Sequence, residues 1–276
     1  MATAKDAPAD KAEGKEIEAA KSTALATEDA FFEGAGEGME DFSQSDFTVP
    51  FISIVQALSK AVQKNHANYV KGAEQGQFLN SATRMTYDGD KGLLIVPAYF
   101  QHRYIAWKPN NGGIAHDYGN DSSVYDKLTA NEKYQRIDAE GNEVVDALEY
   151  FVFIIDPEAM TMEAAVVSFT GSQARKSKKW NNLIRAHAEI RGGKAVKPAL
   201  YFYYYKFTTI AESNEKGSWY GFQIEDAGKL PDLGDFGTEV FNAAKNLRAS
   251  VVSGELKAAT EAPEAGINPG DGDGAF

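Results

Sequence analysis

The chain of 276 residues is long enough for one large or two small domains, and its 43% apolar content is sufficient for a folded core. It has no cysteine and only four scattered histidines, which excludes disulfides, thiolate metal sites and cysteine nucleophiles and leaves little for a histidine metal site. Its net charge of −12, taken over the whole chain, argues against nucleic-acid binding.

The sequence predicts an unfolded segment at the start of the chain, followed by a segment rich in strands. Residues 1–46, dominated by Ala, Glu, Asp, Lys and Gly, predict a disordered acidic arm. The folded domain is predicted over 47–253. Its first half contains predicted strands at 48–56, 76–83, 92–100 and 102–108, a turn cluster at 108–113, a short helix within 123–135 and a hairpin turn at 138–142.

The second half mixes strands with two helices. The pattern predicts strands at 147–155 and 162–169 joined by a hairpin loop, a helix at 172–190 ended by Gly192-Gly193, strands at 199–209 and 218–224, and a helix at 236–252. Residues 254–276 predict a flexible acidic tail. This order predicts a mainly β fold of the α+β class, an OB-like antiparallel barrel with appended helices and disordered acidic tails at both ends.

The charge is distributed very unevenly along the chain. Residues 1–46 carry a net −8 and residues 254–276 a net −4, so the middle is neutral. Within it, residues 171–206 hold nine Lys and Arg against Glu189 alone, a net +8. Lys and Arg neutralise phosphates and release counterions, so this segment is a candidate for binding a nucleic-acid backbone. A solvated basic face that balances the acidic arms is the alternative.

Two sets of residues are the candidate nucleic-acid contacts. The phosphate-binding candidates are Arg103, Lys108, Arg175, Lys176, Lys178, Lys179, Arg185, Arg191, Lys194, Lys197 and Lys206. The base-stacking candidates are Tyr104, Trp107, Trp180, Tyr201, Tyr203, Tyr205, Trp219 and Phe222. Aromatic rings stack on bases of any sequence. The alternative for the Tyr-rich strand is burial on both faces, and the sequence does not say which face is core.

The end of the chain is a candidate docking peptide. A flexible acidic segment with Asp271, Asp273 and a terminal Phe276 suits a basic, aromatic-sized pocket on another protein. An inert solubilising tail is the alternative. The same acidic residues face the local +8 segment, which predicts that the tail competes with DNA for it.

Several stretches resemble a family of bacteriophage proteins described as single-stranded DNA-binding. The similar stretches are 168–184, 198–209, 212–220, and in the same order 49–56, 76–78 and 96–97, so that the resemblance covers roughly 47–224. It implies an OB-type domain that coats single strands in phage replication or recombination, in the host-cell cytoplasm. Separately, the terminus resembles the tails of bacterial and T7-like phage single-stranded DNA-binding proteins, which recruit replication and repair partners. Ala275 departs from that pattern.

Enzyme signatures are missing. Ala165 stands where a nuclease Glu-x-Lys motif after Glu163 would need Lys, and Gly192-Gly193-Lys194-Ala195 lacks the Ser or Thr of a phosphate loop. No histidine pair has metal spacing. We therefore expect a protein without catalysis or cofactor. Residues 1–10 lack the apolar region of a secretory signal and no apolar run reaches membrane-helix length, so no membrane partner is expected either.

The sequence favours sequence-independent binding of single-stranded DNA, with replication or recombination proteins recruited by the tail. The alternatives are a virion or scaffolding protein and an acidic DNA mimic, which the +8 segment disfavours. The oligomeric state, including a homo-oligomer, and the choice between DNA and RNA stay open.

Overall fold

The computed structural model describes residues 37–38, 40–41, 48–109, 113–132, 135–215 and 217–258. The chain divides into two units, Met1–Asp46 and Phe47–Phe276. The described residues of the first unit lie in turns. Apart from these, the arm predicted over 1–46 lies outside the described residues, as does the tail from 259 onwards with Asp271, Asp273 and Phe276.

The second unit is built on a large, mostly antiparallel sheet, which has eleven strands in the described part of the chain. These are β1 (Phe51–Ile54), β2 (Phe78–Asn80), β3 (Thr86–Tyr87), β4 (Leu93–Trp107), β5 (Ile114–Asp117), β6 (Thr129–Ala130), β7 (Arg136–Ile137), β8 (Glu143–Asp156), β9 (Thr161–Phe169), β12 (Tyr203–Asn214) and β13 (Gly217–Lys229). Between β9 and β12, β10 (Glu189–Arg191) and β11 (Lys194–Val196) form a separate hairpin. The main order is β13-β12-β4-β8-β9-β1-β2-β3, and β1 runs parallel to β9.

The central strands are apolar on both faces because the sheet is covered on both sides. Side chains alternate along a strand, so Tyr150 and Val152 of β8 belong to one core and Phe151 to the other. Helix α1 (Ala174–Ala186) covers the first face with Trp180, which is only 1% exposed. Helix α2 (Gly234–Ser253) covers the second face.

Helix α2 owes its position to a stripe of apolar residues at helical spacing. Phe236, Val240, Ala244 and Leu247 are buried in the second core. The helix ends at Gly254, whose φ of 78° gives the left-handed conformation common after a helix. Described residues 254–258, predicted as the start of the tail, pack on the sheet: Leu256 is buried and Ala258 bridges Val49.

The two ends of the curled sheet are joined by side-chain and loop hydrogen bonds. The Gln56 amide, just after β1, donates to the Tyr220 carbonyl and accepts from the Tyr220 N–H, both at 2.8 Å. Nearby, the Thr209 hydroxyl donates to the Gly76 carbonyl at 2.6 Å. The Gln56 bonds imitate the exchange that a neighbouring strand would make with β13. The sheet is therefore a curled half-barrel in which the segment between β1 and β2 is bonded to the hairpin of β12 and β13 near Tyr220.

The prediction of a mainly β, α+β fold is confirmed, whereas this strand order does not establish an OB fold. Most strand positions and the helix near 236–252 are also confirmed. The predicted strands at 92–100 and 102–108 are one strand, β4, with a register shift near Pro97 where the ladder lacks a donor. The helix predicted within 123–135 is a 3₁₀ helix, Ser122–Lys127.

The helix predicted over 172–190 ends early. Helix α1 stops at Ala186, and His187 adopts an extended conformation with ψ of 135°. The His187 ring stacks on Tyr203 at a centroid distance of 3.8 Å, and its Nε2 lies 2.9 Å from Asp226 Oδ1. These contacts hold His187 against β12 and β13, so Gly192-Gly193 forms the turn of the β10–β11 hairpin instead of a helix end.

Candidate nucleic-acid interface

The outer face of helix α1 is uniformly basic. Its buried side faces the core through Ser177 and Trp180, so the residues on the opposite side of the helix point outwards by helical periodicity. Four exposed cations result: Arg175, Lys178, Lys179 and Arg185. The helix contains no acidic residue, and these four make no ion pair with any residue that the structure describes. Such a face attracts polyanions.

Lys176 differs from its neighbours because it is paired. Its Nζ lies 2.5 Å from Glu212 Oε1, and the other carboxylate oxygen accepts from Trp219 Nε1 at 2.9 Å. Burial is the largest single influence and raises the pKa of Glu212, but the hydrogen bond and charge of Lys176 and the hydrogen bonds from Trp219 and Gln173 together outweigh it, so the pKa is lowered. Lys176 is therefore neutralised by an ionised partner, which also ties the half-buried Trp219 to the N-terminal part of α1.

The β10–β11 hairpin extends the basic region beyond the end of α1. Arg191 lies opposite Lys194 in the strand ladder, on either side of the turn Gly192-Gly193. The positive φ angles of this turn, 56° and 76°, suit glycine. Lys197 Nζ donates to the Arg185 carbonyl and, at 3.1 Å, to the His187 carbonyl. The base of the hairpin is thus bonded to the C-terminal end of α1.

The acidic residue within this region is neutralised. Glu189 accepts from Lys229 Nζ at 2.6 Å and from the Tyr203 hydroxyl. Hydrogen bonds from Lys229 and Tyr203 lower the Glu189 pKa, so the carboxylate stays ionised but partnered. We call the exposed cations of α1 and of the hairpin segment the basic surface; it comprises Arg175, Lys178, Lys179, Arg185, Arg191, Lys194 and Lys197.

The remaining phosphate-binding candidates do not join the basic surface. Arg103 is ion-paired with Asp117 and with Glu149, whose side chain is 3% exposed, so its charge is already neutralised within the sheet, and its predicted phosphate contact stays a prediction. Lys108 is exposed at the far end of β4. Lys206 alternates with the buried Tyr205 and Phe207 and therefore points to the other side of the sheet from α1.

Most of the predicted stacking residues are core residues. The rings of five candidates are buried: Tyr104, Trp180, Tyr203, Tyr205 and Phe222. Alternation directs the strand residues inwards, and helix α1 covers the face towards which Tyr203 and Tyr205 point. These rings are buried in the folded protein, so the structure does not place them where they can stack on a base. The indole N–H of Trp180 has no hydrogen-bond partner among the described residues.

Three stacking candidates are partly exposed, in different places. Tyr201 packs edge-on against Phe241 of α2 at a centroid distance of 4.8 Å, on the side away from α1. Trp107 ends β4 beside Lys108. Trp219 is bonded through Glu212 to Lys176 of α1 and thus lies beside the basic surface. Trp219 is therefore the stacking candidate that the structure brings to the basic surface.

Sequence reasoning missed the hairpin and its exposed apolar residues. Ile190 is 69% exposed and Val196 is 46% exposed. A signal for the hairpin was present, because Gly-Gly between two short segments with β-branched residues is typical of a tight hairpin turn. The described residues contain no cluster of His, Asp or Glu placed to hold a metal ion. No helix in the described part of the chain is both long and apolar enough to cross a bilayer.

A family model describes most of this chain. The chain belongs to the Pam3 phage gp34-like protein family. The match covers residues 18–257, which include α1, the hairpin and the whole described sheet. The bacteriophage part of the resemblance is thereby confirmed, and the single-stranded DNA-binding part stays a prediction. No curated protein and no solved structure matches the chain.

Proposed function

We propose that this phage-family protein binds single-stranded DNA without catalysis, with the basic surface in contact with the phosphate backbone. The observation that carries the proposal is the concentration of seven exposed cations on α1 and the adjoining hairpin segment, with the local carboxylates Glu189 and Glu212 already paired. Asp226, a third carboxylate next to this region, is bonded to His187 Nε2 at 2.9 Å, so these three acids already have partners. Counterion release would then supply much of the binding free energy.

Base stacking has a smaller part in this proposal than the sequence indicates. With five candidate rings buried, Trp219 is the aromatic residue placed to stack a base at the N-terminal end of α1. One stacked base contributes about 1–3 kcal/mol, so phosphate contacts would dominate affinity. This favours binding independent of sequence, as expected for a protein that coats strands.

The wider role follows the same reasoning. The protein would act in phage replication or recombination in the host cytoplasm, and the tail with Asp271, Asp273 and Phe276 would recruit partner proteins. We propose that the half-barrel is a variant of the OB fold, which would suit this role because OB folds bind oligonucleotides. A virion or scaffolding protein of the same family is the alternative, and it predicts no preference for single strands over duplex.

The proposal is tested by a matched pair of double variants. Arg175→Gln with Lys178→Gln removes two exposed cations at i, i+3 spacing from α1. Lys245→Gln with Arg248→Gln removes the same charges at the same spacing from the exposed side of α2, which covers the opposite face of the sheet. Binding of fluorescent oligo-dT at low salt is measured by anisotropy for both variants and the wild type.

The expected result is tight binding by the wild type and by the α2 variant, and weaker binding by the α1 variant. Equal losses in the two variants would show that net charge alone matters and would refute an interface on α1. Absence of wild-type binding at low salt would overturn the proposed function. Duplex DNA and RNA of the same length, run in parallel, decide the preferred nucleic acid.

A further inference from the structure

The β10–β11 hairpin presents an apolar side chain to solvent where a protein surface rarely needs one. In the described part of the chain, these two strands pair with each other and with no strand of the main sheet. Ile190 lies opposite Ala195, so these two share a face, and Ile190 is 69% exposed. A single exposed apolar residue needs no explanation by itself, but here it lies within a cationic ribbon.

The other face of the hairpin is held against the protein at its base, through Glu189. Glu189, next to Ile190 and on the opposite face, is bonded to Lys229 and to the Tyr203 hydroxyl. His187 stacks on Tyr203, and Lys197 bonds the end of α1. The Ile190 face is therefore directed away from the body of the protein on a ribbon that is fixed at its base.

The charges around Ile190 restrict the chemistry of a partner. Arg191 and Lys194 flank the turn on the face opposite Ile190; both are exposed at the tip of the ribbon, and neither makes an ion pair with a described residue. A partner that passes over the tip of the hairpin meets Ile190 on one face and the two cations on the other, so a polyanion that also offers apolar surface suits both. Single-stranded nucleic acid meets both conditions, since its phosphates are charged and the faces of its unstacked bases are open. A duplex keeps those faces stacked inside.

We infer that the β10–β11 hairpin contacts the bases of a single-stranded nucleic acid through Ile190, with Arg191 and Lys194 reaching its phosphates from the other face of the hairpin tip, and so sets the preference for single strands over duplex. The inference rests on the proposed function and refines it. Helix α1 binds any phosphate backbone, whereas the hairpin distinguishes exposed bases from paired ones. Because Lys197 joins the hairpin to the end of α1, one strand can run across both.

The test compares two isoleucine-to-threonine variants. Ile190→Thr removes the apolar contact while keeping a β-branched residue in the strand. Ile210→Thr makes the same change at a 43% exposed position on β12, outside the hairpin. Three probes are titrated by anisotropy: oligo-dT, a duplex of the same length, and an abasic strand that keeps the phosphates and lacks bases.

Ile190→Thr is expected to weaken oligo-dT binding about fivefold, slightly more than the effect of one buried methylene, and to leave duplex and abasic binding unchanged. Ile210→Thr is expected to change none of the three. An unchanged ratio of oligo-dT to duplex affinity in Ile190→Thr, or equal loss for all three probes, would overturn the inference while leaving the α1 interface intact.

Two further outcomes separate the inference from the proposed function. No binding of oligo-dT by the wild type refutes the proposed function itself. Binding to anionic lipid vesicles that depends on Ile190, without any effect of Ile190→Thr on oligo-dT, assigns the hairpin to a membrane surface and overturns the inference.

Discussion

Gln56 joins the segment between β1 and β2 to the edge strand β13, and its replacement by Leu tests that role. The variant keeps approximately the side-chain volume and removes both 2.8 Å bonds to Tyr220. Each such bond contributes about 1 kcal/mol net, and a buried group left without a partner costs about 1–3 kcal/mol. Gln56 is buried and Tyr220 is partly buried, so we expect the free energy of unfolding to fall by about 2–4 kcal/mol.

The assay is urea unfolding followed by tryptophan fluorescence, with Gln223→Leu as control. Gln223 is an exposed glutamine on β13, the strand of Tyr220, and its side-chain amide donates to Glu225 alone among the described residues. Its replacement should change the free energy of unfolding by no more than about 0.5 kcal/mol. Amide exchange at Tyr220 should also accelerate in Gln56→Leu. Equal stability of the two variants would refute closure through Gln56.

Three further predictions concern stability. Arg103→Ala leaves the buried carboxylate of Glu149 without its cation and should lower the free energy of unfolding by about 3 kcal/mol or more. The exposed Lys108→Ala is the control and should change it little. Equal unfolding midpoints of the two variants in urea would contradict the ion pair. Leu256→Ala should cost about 2–3 kcal/mol in urea unfolding because Leu256 is a core residue, and an unchanged midpoint would show that 254–258 does not pack on the sheet. Burial, and then the hydrogen bond to Glu189, raise the pKa of Tyr203 from 10.0 to about 12. Its neutral form therefore stabilises the fold below pH 10, and this stability is lost as pH rises from about 10 to about 12. A spectrophotometric titration in which wild type and Tyr203→Phe differ by a tyrosine that ionises near pH 10 would contradict this assignment.

Strands β8 and β9 could be predicted from the sequence because their signal is local. Continuous apolar runs bounded by turn residues identify buried strands wherever the rest of the chain lies. The observed β8, Glu143–Asp156, extends only a few residues beyond the prediction at 147–155. The final helix, with its stripe at helical spacing, was predictable for the same reason.

The candidate site was less predictable because exposure depends on distant residues. Nothing near Tyr205 indicates that α1 will cover it, nor does anything near Arg103 indicate that Asp117 and Glu149 will pair with it. The apolar spacing of a helix continues through residue 187 in the sequence. The observed helix ends at Ala186, because His187 turns away and stacks on Tyr203. Cations on α1 were predictable as exposed, since helical periodicity separates them from Trp180.

The central claim is that cations on α1 contact phosphates of a single strand, and the salt dependence of binding tests it most directly. The logarithm of the oligo-dT affinity is measured against the logarithm of the salt concentration for the wild type, Arg175→Gln with Lys178→Gln, and the matched α2 variant. Loss of two phosphate contacts should make the slope shallower by about 1.4 in the α1 variant alone. Identical slopes for all three proteins would contradict the claim.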